Sequence, residues 1–82
     1  MAIIITPKAQ RQYNLLSRTE QAKIKKKLVI LENEPFAGKK LSGDLNGLRS
    51  LRAWPYRIIY FINKNQEIIY VVSIAHRQGV YK

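Results

Sequence analysis

The chain opens on an unbroken apolar run, Ala2 to Ile5, and its pattern then changes period twice. Three consecutive isoleucines are strong β formers and predict a short strand. Thr6-Pro7 closes it, since threonine suits a helix N-cap and proline the first helical position. Ala9, Tyr13 and Leu16 recur at the spacing of one helical face, so a first helix is predicted to about Leu16. Ser17-Arg18-Thr19-Glu20 matches the capping box, in which Ser17 and Glu20 each satisfy the other's free N–H. A second helix follows to about Asn33 with Ile24, Leu28 and Leu31 as its inward stripe. Glu34-Pro35 stops it, because the residue before proline disfavours the helical region.

Residues 36–47, FAGKKLSGDLNG, are rich in Gly, Lys, Asp and Asn and read as a loop. Beyond them the period falls to two. Strands are predicted at about 48–53, 56–63 and 67–76. Trp54-Pro55 reads as a turn with an aromatic plug, and Asn63-Lys64-Asn65-Gln66 as a hairpin turn. Parity sets Arg57, Ile59 and Phe61 against Tyr56, Ile58, Tyr60 and Ile62, and Ser73, Ala75 and Arg77 against Tyr70, Val72, Ile74 and His76. Both faces of the 56–63 strand are apolar, which predicts a central position. The expected architecture is α+β: one small domain over residues 1–82 with an N-terminal strand, two helices and a three-strand antiparallel meander.

Charge changes the picture more than composition does. The 82 residues carry 15 Lys+Arg against 5 Asp+Glu, a net charge of +10. Such an excess points to nucleic acid, an anionic surface or an acidic protein as partner. After Gly47 the basic residues are Arg49, Arg52, Arg57, Lys64, Arg77 and Lys82, opposed only by Glu67. There is no cysteine, and one histidine with scattered acids makes a metal site unexpected. No cofactor is expected. The run at the start is too short for a signal peptide or a membrane span, so a cytoplasmic protein without membrane contact is expected.

The candidate chemistry gathers where the strands meet. Arg57 opens one strand and Arg77 lies just past the end of the next, so a hairpin can make them neighbours, with Arg52 nearby. Converging guanidiniums repel unless an anion sits among them, and the arginine fork matches phosphate oxygens. The alternative is three ordinary solvated edge residues. His76 is able to carry a proton near neutrality, although a lone histidine at a strand end is more often a surface or packing residue. Tyr81 is placed to stack on a base or to close the sheet. Lys23, Lys25, Lys26 and Lys27 on the second helix, and Lys39 and Lys40 in the loop, are either solvated or phosphate contacts. Arg49 and Ser50 are further candidate nucleic-acid contacts.

The segment GLRSLRAWPYRIIYFI, with the later IAHRQGVY, resembles the RelE/ParE superfamily of toxins from type II toxin–antitoxin pairs, RelE-like branch. Gly47, Leu48, Leu51, Arg52, Tyr56, Arg57, Tyr60, His76, Arg77, Val80 and Tyr81 fit its pattern. The resemblance implies a metal-independent endonuclease acting on mRNA in the ribosomal A site, by attack of a ribose 2′-OH on the adjacent phosphorus. It also implies a cognate acidic antitoxin. By position, Arg57 would stabilise the phosphate, Arg77 would act there or at the leaving group, and Tyr81 would orient the nucleotide. Arg52 stands where some relatives carry a proton-transferring lysine, and arginine stays protonated. Arg52 is therefore an electrostatic helper and His76 the candidate proton carrier. The resemblance leaves two alternatives: a ParE-like inhibitor of DNA gyrase, and a non-catalytic basic module of a repressor complex.

Overall fold

The computed structural model describes residues 1–76. Strand β1 (Ala2–Ile5) leads into helices α1 (Pro7–Asn14) and α2 (Arg18–Asn33). Strands β2 (Lys39–Lys40), β3 (Arg49–Ala53), β4 (Tyr56–Asn63) and β5 (Ile68–His76) follow, with one 3-10 turn at Gly43–Leu45. The strands form a single mixed sheet in the order β1-β5-β4-β3-β2. The meander β3-β4-β5 is antiparallel, and β1 joins its far edge parallel to β5.

Local signals set the helix starts. The Thr6 hydroxyl accepts the Ala9 N–H with Pro7 in the first turn of α1. The Ser17 hydroxyl accepts the Glu20 N–H at 3.2 Å. The return contact of this box is hydroxyl to carboxylate, Ser17 Oγ donating to Glu20 Oε1 at 3.3 Å. Helix α1 ends at Asn14, short of the expected Leu16, and Leu15 is the most exposed large apolar residue among those described. Gln21 ties the two helices together by donating to the Tyr13 carbonyl at 3.0 Å.

The core lies between the helices and one sheet face. Ala9, Ile24 and Leu31 meet Ala53, Ile58, Tyr60, Ile69, Val71 and Ile74 there. Burying several large aliphatic side chains at about 1.5–3 kcal/mol each is what makes so small a domain stable. β4 is the middle strand, as its two apolar faces predict, and Ile58, Ile59 and Tyr60 are all buried. No helix among the described residues is long and apolar enough to cross a membrane.

Three expectations need correction. The segment 36–47 is not all loop, because Lys39–Lys40 pairs with Arg49 and Ser50 as a fifth strand. Trp54 is no plug; its side chain is 55% exposed beside the cis Trp54-Pro55 turn. The parity expected for β5 fails in its middle. Ile59 pairs with Ser73 and Tyr60 with Val71, so Val72 is an extra residue, a β-bulge. Tyr70 therefore leaves the face of Ile74 and His76 and stacks on Phe61, with ring centroids 5.1 Å apart.

Candidate functional site

Alternation along β3 and β4 turns Ser50, Arg52, Arg57 and Ile59 away from the helices onto the open sheet face. The register sets Arg52 directly opposite Arg57 and Ser50 opposite Ile59. β2 adds Lys39 opposite Ser50. Together Lys39, Lys40, Ser50, Arg52 and Arg57 line one cavity of about 360 Å³, and among the described residues no carboxylate lines it. Four cations around one hollow repel one another, and an anion reverses that sign. Ser50 is only 6% exposed, and its hydroxyl oxygen is buried without a partner among the described residues. Buried hydroxyls of that kind are rare in folded proteins and mark a place where a ligand or water completes the bonding.

The lysine segment is held from behind. Tyr60 is buried on the core face, and its hydroxyl donates to the Pro35 carbonyl and accepts the Gly38 N–H, each at 2.9 Å. Arg49 donates to the Gly38 carbonyl at 2.8 Å and lies 4.9 Å over the Phe36 ring. Gly38 is thus gripped on both its amide and its carbonyl, one residue ahead of Lys39. A Cβ on Gly38 would lie 2.6 Å from the Tyr60 hydroxyl, so only glycine fits. Burial pushes the Tyr60 phenol above its ordinary value, partly opposed by the Gly38 hydrogen bond and the Arg49 charge.

The remaining candidates divide. Arg49 is spent on Gly38 and Phe36 rather than on the cavity. His76 pairs with Tyr56 across β4 and β5, on the face opposite Arg52 and Arg57. Its ring meets Tyr56 edge-on at 5.6 Å. Desolvation first, then the hydrogen bond and charge of Glu20, raise the Tyr56 phenol, so a carboxylate, a phenol and an imidazole gather there, apart from the arginines. Lys23 and Lys26 are exposed on α2 and Lys27 half-buried, away from the cavity. Arg77 and Tyr81 lie outside the described residues. Sequence reasoning missed Gly38 and Tyr60, whose roles depend on contacts across 22 residues of chain. It also missed Gln12, discussed below.

The geometry agrees with solved structures. A chain of the toxin–antitoxin complex RelBE2 from Mycobacterium tuberculosis superposes with a TM-score of 0.86 at 27% identity, over 93% of this chain and 96% of that one. The YoeB/ParE toxin from Agrobacterium tumefaciens superposes at 0.80 with 24% identity, over 93% and 98%, which shows the shared fold. The class is therefore the small α+β toxins of the RelE/ParE superfamily. The chain belongs to the family described as the ParE toxin of the type II toxin–antitoxin system, parDE, whose model it matches over residues 3–81. A protein named Toxin RelE from Mycobacterium tuberculosis (strain ATCC 25618 / H37Rv) is 36% identical over 53 residues, 65% of this chain and 55% of that protein. The match thus spans about half the length of that relative.

Proposed function

We propose that this toxin is an endoribonuclease that cleaves mRNA in the ribosomal A site and so blocks translation. One observation carries the reading: Arg52 and Arg57 stand opposite each other in the register and share a cavity with Lys39, Lys40 and the buried Ser50 hydroxyl. In the proposed reaction the 2′-oxygen bonds to phosphorus as the P–O5′ bond breaks, leaving a cyclic phosphate and a 5′-hydroxyl. Arg57 and Arg52 meet the charge that builds on the non-bridging oxygens. The proton of the 2′-OH must leave and one must reach the 5′-oxygen. Arginine keeps its protons, so among the described residues lining the cavity Lys39 and Lys40 are the groups able to exchange one. That moves the proton-carrying role away from His76, on the opposite face. The name of the RelE relative supports the reading.

The same charge fits an acidic antitoxin laid over the cavity, as complementary charge speeds encounter. The structural relatives include toxin–antitoxin complexes, among them an archaeal RelE-RelB complex from Pyrococcus horikoshii OT3. A second reading, inhibition of DNA gyrase, is favoured by the ParE description of the matching family.

The test maps mRNA ends by primer extension after brief induction, wild type beside Arg52→Ala/Arg57→Ala, with circular dichroism to show that the variant folds. New ends inside translated codons, absent from the variant, are expected. Growth arrest with intact mRNA and a DNA-damage response would instead select gyrase.

A further inference from the structure

A second cavity of about 400 Å³ opens on the same sheet face, and nothing in the reaction above uses it. Ile59, Val72, Ser73 and Ala75 floor it, with Leu48 and Lys8 among its walls. We propose that this cavity is a nucleobase subsite, taking the base of the single-stranded nucleotide next to the phosphate held by Arg52 and Arg57. The inference rests on the reading that the cationic cavity holds an RNA phosphate.

Three observations carry it. The two hollows adjoin across the strand register: Ile59, in the second, pairs with Ser50 of the first, and Ala75 with Arg57. Neighbouring strands lie about 4.8 Å apart, so one extended nucleotide spans from one hollow to the other. The second cavity is lined by aliphatic side chains, the surface on which a base packs by its flat face. Its volume falls in the range of about 300–1,000 Å³ usual for ligand pockets.

The third observation is that the cavity is built rather than left over. In a regular strand, consecutive residues face opposite ways. Val72 and Ser73 both line this hollow because the bulge inserts Val72. Gln12 holds that irregularity in place. Its side-chain oxygen accepts the Ile74 N–H at 2.7 Å and the Ser73 hydroxyl at 3.3 Å. With its proton committed to Gln12, Ser73 Oγ presents lone pairs to an exocyclic amine. The Lys8 ammonium offers a donor to a base carbonyl or ring nitrogen.

The test uses pentaribonucleotides with 2-aminopurine placed at each position in turn, beside the same RNAs with an abasic sugar at that position. Binding is measured to the wild type and to Ala75→Leu, which fills the cavity. At one position the abasic sugar is expected to weaken binding about ten-fold, the scale of one lost base contact. At that same position the fluorescence change should vanish in Ala75→Leu. Abasic RNAs that bind the wild type as tightly as intact ones at every position would overturn the subsite, whatever the variant does. So would a folded Ala75→Leu that keeps both affinity and fluorescence change. Salt-sensitive but base-independent binding would leave the phosphate reading standing. No binding of intact RNA at low salt would overturn both.

Discussion

The Tyr60 hydroxyl reaches from the core to the loop at Pro35 and Gly38, and so connects buried packing to the placement of Lys39. Replacing it by phenylalanine keeps the ring and removes two hydrogen bonds. The cost expected is the desolvation penalty of groups left unpaired, about 1–3 kcal/mol by urea denaturation. RNA affinity of Tyr60→Phe should fall as well, in urea-free buffer where the protein is fully folded, because the lysine segment loses its anchor. Unchanged affinity would mean that Arg49 alone holds the segment. Gly38→Ala should be costly by a different route, since its Cβ falls 2.9 Å from the Ser50 carbonyl, which cannot move aside as a side chain can. The raised Tyr60 phenol also sets a pH dependence. The folded state keeps its proton above 10.0, where the unfolded chain releases it, so stability contributed by this group is full below pH 10.0 and falls as pH rises past it. Alkaline titration of Tyr60→Phe should show a shallower loss.

At the scale of elements, β5 shows what alternation can and cannot reveal. β1 stops at Ile5 opposite Val71, so among the described residues β5 continues without a strand on that side. Helix α1 takes over its edge: Thr6 N–H donates to the Val71 carbonyl, and Gln12 accepts from Ile74. Gln12→Leu should strand the Ile74 N–H, cost about 1–3 kcal/mol and loosen the bulge. Gln12→Glu keeps an acceptor for both bonds and should retain most of the stability, which thermal melts would show. None of this was visible in the sequence, because Tyr70-Val71-Val72-Ser73-Ile74 satisfies the strand pattern in either register. A glutamine on a short helix carries no mark of the strand it caps. β2 was illegible for a similar reason, since two lysines form a strand only because Arg49 and Ser50 offer them an edge. By contrast, β4 declared its central place through apolar residues on both faces. Arg52 was expected only near Arg57 at one end of the sheet, and the register sets the two directly opposite. The cationic half of the candidate site was therefore readable, whereas its support from Tyr60 and Gly38 lay in long-range contacts.

For the whole molecule, the net charge of +10 includes two groups of cations with different consequences. The open sheet face concentrates Lys39, Lys40, Arg52 and Arg57 around one hollow, whereas α2 carries Lys23, Lys25 and Lys26 exposed on the helical layer. A charge that touches a phosphate in the complex releases a counterion. Each such contact to single-stranded RNA steepens the salt dependence of binding by about 0.7 in log–log slope. A charge that only adds to the field steers encounter and is screened over about 10 Å at 0.1 M salt. Lys39→Gln/Lys40→Gln should therefore lower the salt slope by about 1.4 and speed dissociation. Lys23→Gln/Lys26→Gln should slow association at low salt and leave dissociation unchanged. Stopped-flow binding of a short RNA across a salt series separates the two. If the α2 pair accelerates dissociation as much as the β2 pair does, the helical face grips RNA directly. The bound strand would then have to wrap from the sheet around to α2, instead of lying only in the hollow between β2 and β4.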